Sequence, residues 1–165
     1  MLAIGIDPGT AICGYGVVES RGSTLRALDY GAIMTQPTLT AAERLQIIHN
    51  GLDNLLKSFK PDIAGVEQLF FNKNVRTAMA VGQARGVILL AIANNGVRLA
   101  EFTPLQVKQS VVGYGKATKD QIIFMVQRLL GLTVKPHPDD VADALAMAIC
   151  SLHSAGTESI WSCKR

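Results

Sequence analysis

Apolar positions along this chain fall into two periods. Leu2–Ile6 is a short apolar run, closed by Asp7 and followed at once by Pro8-Gly9. A run of that length with a turn signal behind it predicts a buried strand. Gly14–Glu19 and Leu25–Ile33 read as two more strands, with Ser20-Arg21-Gly22-Ser23 as the hairpin turn between them. The period then changes. Thr40-x-x-Glu43 has the spacing of a capping box, and Leu45, Ile48, Leu52 and Leu55 recur at helical intervals until Pro61. Ile63–Glu67 repeats the opening pattern, an apolar strand closed by a carboxylate. A polar-aromatic loop, QLFFNKN, leads into a helix expected from about Val75 to Asn94 and ended by Asn95-Gly96. Val97–Phe102 is the last strand. Thr103-Pro104-x-Gln106 opens a short helix with proline at its first position. Thr118-x-x-Gln121 caps another, running to Leu130, and Pro136 and Pro138 precede a final helix expected from Asp139 to His153. Strands first, then alternation, then helices predicts an α/β fold, one mixed central β-sheet flanked by α-helices.

Two strands that end in Asp7 and Glu67 raise a physical question, because a carboxylate in line with buried strand is costly unless something neutralises it. If the two strands are neighbours, both carboxylates emerge at one sheet edge. Asp140 and Asp143, three residues apart in HPDDVADALA, share a helical face, while Leu145, Ala148 and Leu152 form the core-facing stripe. Four carboxylates from distant segments can then meet. Close like charges repel, and a divalent cation resolves the repulsion. Hard oxygen ligands suit Mg²⁺ or Mn²⁺, and no His/Cys set suits zinc. Taken singly, Asp7-Pro8-Gly9 is also a turn, and Asp139 or Asp140 a helix cap. Taken together they favour a site, with Asp139 assigned to the cap and Asp140 to the ligand set.

Composition narrows the class. The 165 residues suit one compact domain, and 48% hydrophobic against 18% charged content describes a globular chain. The net charge of +3 permits a polyanionic partner without demanding one. Cys13, Cys150 and Cys163 lack paired spacing and fit a reducing compartment rather than a disulfide framework. Cys150-x-x-His153 has nothing to complete a metal site and reads as a buried cysteine beside a surface histidine. The longest apolar run, Val87–Ala93, is far short of a membrane span, and the expectation is a cytoplasmic protein.

In chain order, IGIDPG, GVEQLFFNKN, GQARGVILLA, VKQSVVGYGKATKDQI and DDVADALAMAI resemble the RuvC family of Holliday-junction resolvases. The resemblance runs from Ala3 to about His153. It implies a ribonuclease-H-like fold, Mg²⁺-dependent phosphodiester hydrolysis and a homodimer that nicks opposite strands of four-way junction DNA. By position it makes Asp7, Glu67, Asp140 and Asp143 the catalytic and metal-binding residues, holding two Mg²⁺ ions for which Mn²⁺ can substitute. It also implies association with a RuvA–RuvB branch-migration motor. Residues 1–154 are then a single nuclease domain. The tail, 155–165, matches none of the motifs and is expected to be poorly ordered.

Lys73, Arg76, Lys108, Lys116 and Lys119 lie in the segments that carry these motifs. Lys119 sits in the first turn of the helix capped by Thr118, where a cation opposes the helix dipole and a bound phosphate would make it useful. The resemblance places Lys108 and Lys119 near the active site in support of cleavage. Lys73, Arg76 and Lys116 are expected to contact the DNA backbone. Phe70 and Phe71 are adjacent and cannot both face one core, so one is free to stack on an unpaired base, and the resemblance implies that it is Phe70. Ala78, Gly82, Ala84 and Gly86 form a small-residue set on the long helix, which ordinary packing on the sheet explains equally well and which the resemblance assigns to the dimer contact. Two rival readings are kept. One is a junction-binding protein without catalysis, against which all four acidic positions are filled. The other is a nucleotide-binding domain like those of actin-like ATPases and sugar kinases, suggested by GIDPGT alone, for which the chain is too short.

Overall fold

A computed structural model describes residues 1–68 and 75–162, with side-chain surroundings given for 1–68 and 78–156. The element order is β1 (Leu2–Asp7), β2 (Ile12–Arg21), β3 (Thr24–Met34), α1 (Ala41–Phe59), β4 (Ile63–Glu67), α2 (Val75–Asn94), β5 (Arg98–Phe102), α3 (Pro104–Val112), α4 (Lys119–Leu130) and α5 (Asp139–Ser162). The strands form one five-stranded sheet in the order β3-β2-β1-β4-β5. β1 and β2, and β2 and β3, are antiparallel, while β4 runs parallel to both β1 and β5. This is the mixed sheet the patterning predicts.

Two boundaries move for physical reasons. The hairpin pairs to its tip, Arg21 opposite Thr24, so β2 and β3 are longer than their apolar cores and only Gly22-Ser23 turns. Gly22 has φ +61°, the left-handed geometry such a tight turn needs. At the other end of the chain, α5 continues beyond His153 to Ser162, and Ala155, inside that extension, is buried in the core. The three capping boxes predicted from spacing and the proline at the first position of α3 are all present: Thr40 with Glu43, Thr103 with Gln106, and Thr118 with Gln121.

Alternation along the central strands divides the core in two. Ile4, Ile6, Ala64 and Val66 pack with Ile48, Leu52 and Leu56 of α1 and Ala84, Ile88 and Ile92 of α2. The opposite face packs α5, which is itself covered by α3 and α4. The sequence stripe of Leu145, Ala148 and Leu152 is buried, but so are Val141, Ala142, Ala144, Ala146 and Ile149. A helix apolar on every side belongs between two layers, and α5 is that helix. No helix among the described residues is long and apolar enough to cross a membrane. Cys13 and Cys150 are buried free thiols, and the exposed His153 meets Ser110 Oγ at 3.1 Å through Nδ1.

Candidate active site

β1 and β4 are parallel neighbours in the register Ile6 opposite Val66, so Asp7 and Glu67 leave the sheet side by side. Because Ile4, Ile6, Ala64 and Val66 face α1 and α2, alternation directs Asp7 and Glu67 to the side occupied by α5. The sequence permits α5 to lie very close. A Cβ on Gly5 would overlap the Ala144 carbonyl oxygen and the Ala148 nitrogen, one on Gly14 the Asp140 carbonyl, and one on Gly65 the Ser151 hydroxyl. Gly14 is the residue that pairs with Asp7 across the sheet. Glycine at these positions lets helix backbone rest on strand backbone and brings Asp140 and Asp143 to the strand ends.

The electrostatics record this convergence. Burial pushes the Asp7 carboxyl up from 3.8 to about 7, with further upward contributions from Asp143, Glu67 and Asp140, against a lowering by Lys119. Burial followed by the Asp143 charge raises Glu67. Asp143 is raised first by burial, and by Asp140 and Asp139, while Lys119 pulls it back. The cause of the burial is visible in the lining of the cleft. Pro104, Val107, Ile122, Ala146 and Met147 surround Asp7, Glu67, Lys108 and Asp143 in a cavity of about 150 Å³. Apolar walls and like charges both disfavour the ionised form.

Lys119 Nζ lies 3.1 Å from Asp143 Oδ2 and 3.4 Å from Asp139 Oδ2. It answers the charge of Asp143 and leaves Asp7 and Glu67 without a paired cation among the described residues. The donor set of Asp7, Glu67, Asp140 and Asp143 is all oxygen and fits a hard divalent cation. Cys13 packs with Ile4 and Ile6 on the α1–α2 side of the sheet and so stays out of such a set, and burial pushes its thiol up to about 12. Among the described residues no three His, Cys, Asp or Glu groups stand close enough as placed to hold one ion. The fit therefore rests on donor chemistry and unbalanced charge.

The structure places the other candidates unequally. Lys108 lines the cleft, whereas Lys116 is exposed on the connection before α4. Phe70 and Lys73 lie outside the described residues, and Arg76 belongs to α2 with its side chain outside them. Asp139 is the first residue of α5 rather than its cap. The Val141 N–H donates to the Pro138 carbonyl at 3.0 Å, and the Asp139 carboxylate is free to turn to Lys119. Ala84 belongs to the core and not to an exposed face of α2, because it packs with Ile88 against the sheet. Sequence reasoning missed two contributors. The glycines under α5 were readable as glycines inside strands, a signal of close backbone approach. Arg85, which donates from Nε to the Glu67 carbonyl at 3.2 Å, left no signal in the periodicity.

Comparison with known proteins points to one family. The model of a family described as Crossover junction endodeoxyribonuclease RuvC matches residues 3–151. A protein of that name from Alkaliphilus oremlandii is 51% identical over 164 residues, 99% of this chain and 100% of its own length. One from Moorella thermoacetica is 57% identical over 150 residues, 91% of this chain and 90% of its own. The solved structure of Thermus thermophilus RuvC in complex with Holliday junction substrate is 37% identical, with a TM-score of 0.92 and coverage of 96% of this chain and 97% of that one.

Proposed function

The chain belongs to the RuvC family of crossover junction endodeoxyribonucleases, and from that membership and the carboxylates at the sheet edge we propose how it acts on DNA. It has the family's ribonuclease-H-like fold and is an endonuclease that resolves four-way DNA junctions in recombination and repair by phosphodiester hydrolysis. The observation that carries the mechanism is Asp7, raised to about 7 by burial and by three converging carboxylates. Membership implies a divalent metal. We assign it as Mg²⁺, two ions per site with Mn²⁺ as a substitute, held by Asp7, Glu67, Asp140 and Asp143. When bound, such ions polarise water and stabilise charge on the attacking and leaving oxygens of an in-line displacement.

The chain's own residues do the rest. Asp7, which feels the charges of Asp143, Glu67 and Asp140, would hold the metal together with them. Glu67 and the α5 pair of Asp140 and Asp143 close around it. Lys119, half-exposed and paired among the described residues with Asp143 and Asp139, can release them and turn to the scissile phosphate when the carboxylates gain another counter-charge. Lys108 places a second cation on the cleft wall. The apolar lining excludes water and strengthens these interactions. Phe70 stacks on a base, and Lys73, Arg76 and Lys116 hold the backbone. The expected boundary at residue 154 falls inside α5, and since Ala155 packs in the core, the nuclease domain, placed in the cytoplasm, extends past it.

The direct test is cleavage of a synthetic four-way junction beside a linear duplex, with Mg²⁺ and without. Cutting confined to the junction and to Mg²⁺ is expected. Lys108→Ala and Lys119→Ala should each slow it by roughly 100- to 1,000-fold, in the range of removing one charge-stabilising donor. Lysine variants that cut at the normal rate would remove both from the mechanism.

The second copy that a paired cut needs is proposed to dock on α2. Met79 (63% exposed), Gly82, Gly86 and Leu90 (54% exposed) follow helical spacing along one outward stripe, and a Cβ on Gly86 would meet nothing within 4 Å. Met79→Glu with Leu90→Glu is expected to convert a sedimenting dimer to a monomer. A dimer that survives the pair would place the contact elsewhere. We propose that this dimer also associates with a RuvA–RuvB branch-migration motor.

A further inference from the structure

We infer that Arg85 is a positioning residue for Glu67, fixing the end of β4 so that this carboxylate is presented to the metal-binding cluster. The inference rests on the reading of Glu67 as part of that cluster. Glu67 is the last residue of β4, where strand pairing stops and the chain leaves the sheet. A carboxylate at such a point is only as well placed as the peptide behind it. That peptide is held at both of its polar atoms. The Gln68 N–H donates to the Phe102 carbonyl at 2.9 Å, which continues the pairing with β5. The Glu67 carbonyl points the other way and accepts from Arg85 Nε at 3.2 Å.

Arg85 is itself fixed. Its Nη2 is ion-paired with Glu101 Oε1, and its side chain is only 21% exposed. Glu101 sits on β5 opposite Val66, the residue just before Glu67, and Val66 faces α2. One guanidinium therefore ties three elements together: α2, the end of β4, and β5. The planar fork of arginine can serve both acceptors at once, which a lysine ammonium on a flexible stem does less well. The contact also explains why a charged residue stands between the buried Ala84 and Ile88 on the sheet-facing side of α2.

A partner that orients a ligand carboxylate typically changes metal affinity or activity by about 10- to 100-fold when removed. The experiment uses the full-length protein and the variants Arg85→Gln, Arg85→Lys, Glu101→Gln and Glu67→Gln. Three quantities are read: the unfolding midpoint without metal, its rise on adding Mg²⁺ or Mn²⁺ without DNA, and junction cleavage against junction binding. Arg85→Gln is expected to lose most of the metal-induced rise and to cut about 10- to 100-fold more slowly, while binding the junction normally in the absence of metal. Arg85→Lys should recover part of both. A folded Arg85→Gln with an unchanged metal-induced rise would overturn the inference. If Arg85→Gln does not fold, Glu101→Gln decides: a smaller metal-induced rise supports the role, and an unchanged one removes it. Glu67→Gln separates the two readings, because normal cutting by that variant would sink the role of Glu67 itself, whatever Arg85 does.

Discussion

Replacing Asp7 by asparagine is expected to abolish junction cleavage and, at the same time, to make the metal-free protein harder to unfold at neutral pH. The two effects have one cause. Burial and the charges of Asp143, Glu67 and Asp140 raise the Asp7 carboxyl from 3.8 to about 7. The folded protein therefore holds a proton there that the unfolded chain releases. For a carboxyl raised in the folded state, the stability it contributes is complete below pH 3.8 and is lost as pH climbs through about 7. At 1.36 kcal/mol per pKa unit the loss is on the order of 4 kcal/mol. Asparagine keeps the shape and carries no charge to desolvate. At pH 8 its unfolding midpoint should rise by several degrees, at about 2–4 °C per kcal/mol for a chain of this size. The advantage should shrink as pH falls through about 7 and vanish below pH 4.

Magnesium should narrow that gap. A ligand at one hundred times its dissociation constant stabilises the folded state by about 2.7 kcal/mol. The native protein should gain that and the Asp7→Asn variant little of it, with cleavage down by on the order of a thousandfold or more. Junction binding without metal should persist. Calorimetry at pH 4 and pH 8, with and without Mg²⁺, reads all of this. An asparagine variant no more stable than its parent at pH 8 would show that Asp7 carries no electrostatic burden, and the cluster would lose its central member.

The strands, the caps and the acidic set were legible in the sequence because each leaves a local mark: an apolar run closed by a carboxylate, a Thr-x-x-Glu, an i, i+3 pair. What joins them was not. Nothing in the spacing of Asp7 and Glu67 says that β1 and β4 are neighbours, since that is decided by the crossover through α1. Nothing in DDVADALA says that α5 lies between two layers, because α3 and α4, which cover it, come from elsewhere in the chain. Lys119 was expected to await a phosphate. Its partners Asp139 and Asp143 became visible only when α4 and α5 were placed together. Arg85 is the extreme case: its two acceptors lie on different strands, and only the folded sheet brings them together.

The glycines beneath α5 carry the other large expectation. Gly5→Ala should cost both stability and cleavage, because the added Cβ would overlap backbone atoms of α5, the Ala144 carbonyl and the Ala148 nitrogen. No rotamer change relieves a clash with backbone, so the helix must lift from the sheet. Overpacking of this kind costs roughly 1–3 kcal/mol or more. A displacement of about 1 Å at Asp140 and Asp143 can cost on the order of 100-fold in rate. Gly65→Ala offers the contrast. Its nearest obstacle is the Ser151 hydroxyl, the end of a side chain that otherwise donates to Met147 O at 2.9 Å. Removing that hydroxyl with Ser151→Ala should restore part of the stability and cleavage lost in Gly65→Ala, whereas the same change should not help Gly5→Ala. The double-mutant comparison therefore distinguishes a helix held at a set height over the sheet from a merely crowded core. Gly5→Ala with native cleavage would mean that the distance of α5 from the strand ends is not what assembles the four carboxylates.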